Sequence, residues 1–256
     1  MATGLLVLGL NSSTRLLTFL VGLDKEYLAT VRLGASTPTD DAESEPDRVA
    51  DPAAIDRITH EDVRRGVARL TGPIQQVPSA VSAIKVDGKR AYTRVREGEQ
   101  VALTPRSVTV DAFDILDTRR GAFLDLDIRV ACSSGTYIRA LARDLGAALG
   151  VGGHLTALRR TRIGPFEVAA AGALEELDVA ASLREPAVVA SILFPTIELT
   201  AQQETDLAHG KRLAVVRDDG EPVAAITGDG RLAGLVAVTG GVARPIVNFP
   251  KDEVSA

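Results

Sequence analysis

The sequence contains one cysteine, one methionine, three histidines and no tryptophan in 256 residues. A single thiol, Cys132, excludes an internal disulfide and fits a reducing compartment such as the cytoplasm. His60, His154 and His209 stand far apart without ligand spacing, so neither a metal nor an organic cofactor is expected. Long apolar runs are also missing: no stretch approaches the roughly 18 residues that a membrane span needs. Leu5 to Leu10 is apolar, but no basic residue precedes it and no small-residue cleavage site follows, which argues against a secretory signal. What remains is 45% hydrophobic and 25% charged residues, enough for one cored domain and a small second one.

The formal charge of −5 argues against a polyphosphate partner until its distribution is considered. Eleven acidic residues fall between Asp24 and Asp62, against Lys25, Arg32, Arg48 and Arg57. Elsewhere the chain is locally basic, in Lys85, Lys89, Arg90, Arg94, Arg96 and Arg106, and again in Arg139, Arg143, Arg159, Arg160 and Arg162. Such groups suit a nucleic-acid backbone or a solvated surface.

Gly4 to Leu10 has the composition of a buried strand, followed by a helix that Ser12 or Ser13 could cap and that carries Leu16, Leu17, Leu20 and Leu23. Tyr27, Ala29, Val31 and Leu33 alternate with their neighbours as a half-buried strand does. Ser36 to Ala54, rich in Asp, Glu, Ser, Pro and Thr, is expected to be an exposed loop. Thr59 is placed to cap a helix bearing Val63, Val67 and Leu70, which Gly72 and Pro73 terminate. Val108 to Leu116 and Leu124 to Val130 are strands, the second with Asp125, Asp127 and Arg129 on its wet face. A helix after Tyr137 carries Leu141, Leu145 and Leu149. Thr200 caps a short helix ending at His209 and Gly210. Short strands follow, separated by turns at 218–220, 228–230 and 240–241. The fold class is α+β with an appended β unit, and the boundary is drawn near Ile197, giving domains 1–196 and 197–256.

Several patches carry a resemblance to one family. Cys132-Ser133-Ser134-Gly135-Thr136-Tyr137-Ile138-Arg139 is the most specific. Asp24-Lys25-Glu26-Tyr27, Leu158-Arg159-Arg160, Val77-Pro78-Ser79-Ala80-Val81-Ser82-Ala83-Ile84-Lys85 and Gly88-Lys89-Arg90-Ala91-Tyr92 accompany it. Met1-Ala2-Thr3-Gly4 resembles the tail of a Gly-Thr-Leu-Asp-Pro-x-Ala-Thr-Gly signature. Together these resemble the TruB-type tRNA pseudouridine synthases, from Met1 to about Leu174 and more loosely through Pro250. The resemblance implies a mostly antiparallel mixed sheet with flanking helices, and a β-rich, PUA-like C-terminal domain holding tRNA.

It also implies isomerisation of uridine 55 in the T-loop of tRNA by a monomeric enzyme that needs no cofactor or metal and touches no membrane. Tyr27 would stack on the extruded uracil, Tyr137 would line its pocket, and Leu158 would close the apolar side. The family's catalytic aspartate would fall two positions before Met1, so no residue here inherits that role, and Arg139, its partner, is expected to be left incompletely paired. Asp24, Asp40 and Asp41 lack the Leu-Asp-Pro context and are expected to be surface acids. Lys85, Lys89 and Arg90, in an RNA-gripping insertion at about 75–106, and Arg159 and Arg160 are the candidate RNA contacts. The rival expectation is a noncatalytic tRNA-binding protein or an inactive fragment. An unrelated soluble α+β protein of another role is the third possibility, and Cys132, which has a competing reading as a thiol nucleophile, is expected to be buried in its strand.

Overall fold

The structure, a computed structural model, describes residues 2–79, 81, 85–86, 89–90 and 103–251. Two compact units divide them, one formed by Met1–Leu5 with Gly22–Ala169 and the other by Leu6–Val21 with Ala170–Ala256. The division falls earlier than the boundary drawn near Ile197 and gives an N-terminal segment to the second unit. The helix Pro186–Leu193 explains the shift, because its Ala187 and Ala190 are buried with Leu232 and Leu235 of the second unit's sheet.

The first unit is built on a seven-stranded sheet. Its main strands are β1 (Ala2–Gly4), β2 (Lys25–Leu33), β3 (Gly72–Gln76), β4 (Arg106–Arg120), β5 (Leu124–Cys132) and β6 (Gly153–Ile163), in the order β1-β6-β2-β5-β4-β3. Phe166–Glu167 adds to β6. β1 runs parallel to β6 and the other pairs are antiparallel. Strict alternation of burial along β5 puts Leu124, Leu126, Ile128, Val130 and Cys132 on one face, as expected for a strand with one wet side. Two helices, α1 (His60–Arg69) and α2 (Ile138–Ala148), cover that face. Val63 and Val67 of α1 and Ile138, Leu141 and Leu145 of α2 join Ala29, Val31 and Leu33 of β2 in one core. Thr59 caps α1 in a reciprocal box with Asp62, the arrangement its sequence suggests.

Two expectations about the N-terminal third fail. Only Ala2–Gly4 is strand; Leu6, Leu8 and Leu10 are exposed, because ladder pairing with β6 stops at Gly4 and the residues after Leu5 belong to the other unit. The 36–54 segment is no exposed loop throughout. Ala35–Ser36 pairs with Arg48–Val49, and Thr37, Asp40 and Asp41 are buried.

The second unit contains a five-stranded sheet in the spatial order Thr196–Leu199, Gly220–Thr227, Leu232–Thr239, Val242–Asn248, Leu213–Ala214. Turns at 228–230 and 240–241 join neighbouring strands as the glycines there suggest. The helix Ala201–Ala208, boxed by Thr200 and Gln203, inserts Leu207 into its core. Asn11–Leu16 is a 3-10 turn with Leu10 at its N-cap position, leading into a short helix, Leu17–Val21. Leu16 is buried with Phe249 and Leu235.

Candidate active site

Two of the candidate pocket residues lie on the sheet. Tyr27 lies opposite Arg160, and Leu158 opposite Ala29 and Ala2. Tyr27 and Leu158 are both half-buried against the main core. Burial and the neighbouring Cys132 push the Tyr27 hydroxyl pKa up, and Arg160 pulls the other way, so the phenol stays protonated at neutral pH. Burial likewise pushes the Cys132 thiol up to about 11. With Cys132 only 1% exposed, strand burial is its reading and a thiolate nucleophile is not.

β1 is locked against β6 at Arg160. The Leu5 amide donates to the Arg160 carbonyl and Arg160 Nε donates to the Leu5 carbonyl, each at 2.8 Å. Gly4 has φ +96°, and a Cβ there would lie 2.2 Å from the Arg160 carbonyl oxygen. The glycine of the Ala2-Thr3-Gly4 motif is therefore required by backbone approach.

The turn from β5 into α2 carries the most specific of the sequence motifs, Cys132 to Arg139. The Ser133 amide donates to Thr109 O and its hydroxyl accepts from Thr109 N, at 2.8 and 2.9 Å. Lys25, whose ammonium donates to Leu23 O at 2.6 Å, also reaches Ser134 Oγ at 3.2 Å. Gly135 takes φ +85°, and Tyr137, half-buried, then occupies the N-cap position of α2 in extended conformation without a side-chain cap.

Arg139, the second residue of α2, is fully engaged rather than short of partners. Its guanidinium donates to Asp41 Oδ2 at 2.8 Å, to the Thr39 carbonyl at 3.2 Å and to the Val81 carbonyl at 2.7 Å. The expectation of incomplete pairing is overturned because Asp41, 3% exposed, supplies the charge. Asp40, 8% exposed, pairs with Arg143 at 3.2 Å while Arg143 Nη2 donates to the Val77 carbonyl at 2.7 Å. Neither is a surface acid. Of the three, only Asp24 lies at the surface, ion-paired with Arg162 at 2.7 Å.

The two carboxylates are tuned in opposite directions. Burial pushes Asp41 up, but the Thr39 hydroxyl, the Glu43 amide and Arg139 more than offset it and its pKa is lowered. For Asp40 burial prevails over Arg143 and the pKa is raised. Asp40 also has φ +58°, a left-handed conformation that Asp tolerates better than most residues.

Among the candidate RNA contacts, Arg159 is exposed on β6, with Thr3 Oγ1 3.5 Å from its Nη1, and Arg160 is half-buried beside Tyr27. The side chains of Lys85, Lys89 and Arg90 lie outside the described residues; their backbones pair as a two-stranded ribbon. Sequence reasoning missed Asp41, Arg143's partner Asp40, and Gln76. Gln76 is 1% exposed, and its amide accepts from Tyr137 N at 2.8 Å and donates to Tyr137 O at 3.1 Å.

Comparison with known proteins places these features in a family. Residues 1–138 match the model described as TruB family pseudouridylate synthase (N terminal domain). Residues 139–197 match tRNA pseudouridylate synthase B C-terminal domain, and 194–250 match tRNA Pseudouridine synthase II, C terminal. The tRNA pseudouridine synthase B of Leifsonia xyli is 59% identical over 259 residues, spanning 100% of this chain and 86% of that protein. The protein of the same name from Paenarthrobacter aurescens is 51% identical over 260 residues, 97% of this chain and 83% of its own. Two solved structures share the fold. One is titled as an H/ACA RNP bound to a substrate RNA containing 2'-deoxyuridine, with TM-score 0.61 and 21% identity, covering 95% of this chain and 71% of that one. The other is a Cbf5-Nop10-Gar1 complex, with TM-score 0.63 and 21% identity, covering 95% and 72%.

Proposed function

From the premise that the chain belongs to the TruB family of pseudouridylate synthases, we propose that it converts uridine 55 in the T-loop of tRNA to pseudouridine, acting as a cytoplasmic monomer. The observation that carries the reading is the pair Tyr27 and Leu158, diagonal neighbours across β2 and β6 that both pack against the core. An aromatic ring and an apolar side chain on one wall suit a flipped uracil, since base–aromatic stacking is worth about 1–3 kcal/mol. Tyr137 lines the opposite side. Extrusion of the base costs a few kcal/mol, which the stacking offsets.

The reaction then breaks the N1–C1′ bond, turns the ring, joins C5 to C1′ and releases the C5 proton while N1 gains one. Asp40 and Asp41 are held in ion pairs with Arg143 and Arg139, which leaves neither carboxylate free to attack. Arg139, which never loses its charge, is fixed by Asp41 and two carbonyls and holds the start of α2 in place. Arg159 and Arg160, with Lys85, Lys89 and Arg90, take phosphates of the T-arm.

The test uses a tRNA transcript with tritium at C5 of its uridines, incubated with the protein purified from its own cell. The expected result is release of about one tritium per tRNA, abolished when position 55 is changed to cytidine. Release that ignores that change, or no release at all, overturns the proposal.

A further inference from the structure

Resting on the reading above, we propose that Gln76 is a positioning residue for Tyr137: a buried amide that fixes the pocket aromatic by binding both polar groups of its backbone. Gln76 ends β3 and Tyr137 lies 61 positions later. Both ends of the carboxamide are spent on that one residue, Oε1 on the amide and Nε2 on the carbonyl. The geometry copies the exchange that a neighbouring strand would make, at a point where the chain has left β5 and has no strand beside it.

Tyr137 needs such a support. As N-cap residue it has φ −99° and ψ 107°, with no side-chain cap, and a helix N-terminus leaves its first amides without intrahelical partners. Its carbonyl also accepts from the Leu141 amide, but at 3.2 Å. Rotation about the Tyr137 backbone would swing the ring and, with it, the start of the helix that carries Arg139. Gln76 blocks that rotation from outside the helix. A buried amide with no such task would be better replaced by an apolar side chain, because desolvating it carries a cost that only hydrogen bonds recover.

The experiment compares the affinity of the full chain for a T-arm hairpin RNA with uridine at the target position and for the same hairpin abasic there. The ratio of the two reports how well the pocket receives the base. In Gln76→Leu the ratio is expected to fall about tenfold, while affinity for the abasic hairpin stays at the wild-type value.

Gln76→Glu gives a second reading that does not depend on a change of fold. A protonated carboxyl offers one acceptor and one donor and mimics the amide; an ionised one has no donor and faces the Tyr137 carbonyl. Charged groups on the packed elements include Arg106 across from Gln76 on β4, and Arg139, Arg143 and Asp144 on α2, Arg139 paired with Asp41 and Arg143 with Asp40 and Asp144. The ratio in Gln76→Glu should therefore be lost as pH rises through the pKa of the introduced acid, where the wild-type ratio stays flat. A folded Gln76→Leu with the wild-type ratio, or a Gln76→Glu ratio that ignores pH, overturns the positioning role. Equal binding of both hairpins by the wild type would instead sink the functional reading, and this inference with it.

Discussion

The two faces of the first sheet use charge in different ways. On the outer face ion pairs run from strand to strand. Arg129 bridges Glu26 at 2.9 Å and Asp114 at 2.5 Å, Arg32 forks onto Asp125 with two bonds of 2.8 Å, and Asp127 takes Arg119 and the Thr30 hydroxyl. These partners are cross-strand neighbours, so their meeting follows from register. On the helix side Arg139 and Arg143 reach Asp41 and Asp40, 98 and 103 positions away, and each also holds a carbonyl, Val81 or Val77, of the chain leaving β3. There the charge serves to hold two distant segments against one helix. An outer pair that breaks meets water, whereas Asp41, with its side chain 4% exposed, meets mostly protein once its arginine is lost.

The largest break is Arg139→Met. It strands Asp41, whose side chain is 4% exposed, and should lower unfolding free energy by about 3 kcal/mol, the order measured when one partner of a buried pair is removed. Arg139→Lys should recover only part, because an ammonium lacks the planar fork that serves Asp41 and two carbonyls together. Urea midpoints at unchanged m-value test both; equal midpoints for wild type and Arg139→Met would show that Asp41 finds another partner.

A smaller effect separates the two inner pairs from each other. The folded pKa of Asp41 is depressed, so its contribution is present above the unfolded value, about 4, and is lost as pH falls through the folded value. Asp40 is raised, so its contribution runs the other way, fullest below the unfolded value and lost as pH rises through the folded one. In the wild type the slopes oppose. Asp40→Asn should therefore steepen the fall in melting temperature between about pH 5 and 3, and Asp41→Asn should flatten it. Parallel curves for both variants would contradict the opposite tuning.

The same contrast explains what the sequence made legible. The alternation of Leu124, Leu126, Ile128 and Val130 with Asp125, Asp127 and Arg129 announces the outer face, because period two is local information. Thr59 with Asp62 and Thr200 with Gln203 announce helix starts for the same reason. Tyr27, Tyr137, Arg139 and Leu158 stand out by family resemblance. Asp40 and Asp41 lack the Leu-Asp-Pro context and sit in a run of Ser, Thr, Asp and Glu with the composition of a solvated loop, so nothing local signals partners about a hundred residues away. Gln76 has no local signature, since its task is to bind a backbone. Leu6 to Leu10 misled in the opposite sense, an apolar run whose side chains at 6, 8 and 10 face outward.

The smallest expected effect is the sharpest check of the comparison. Arg119 lies outside the core and bonds Asp127 from the neighbouring strand, where a second contact, the Thr30 hydroxyl at 2.7 Å, remains if the arginine is removed. Exposed pairs gain little because water and salt screen them and ordering long side chains opposes the attraction. Arg119→Gln should thus shift the melting temperature by less than about 2 °C, and the shift should vanish in high salt. A shift as large as that of Arg139→Met, insensitive to salt, would mean that the outer ladder also fixes strand register. The distinction between a face that merely stays wet and a face that holds the site together would then fail.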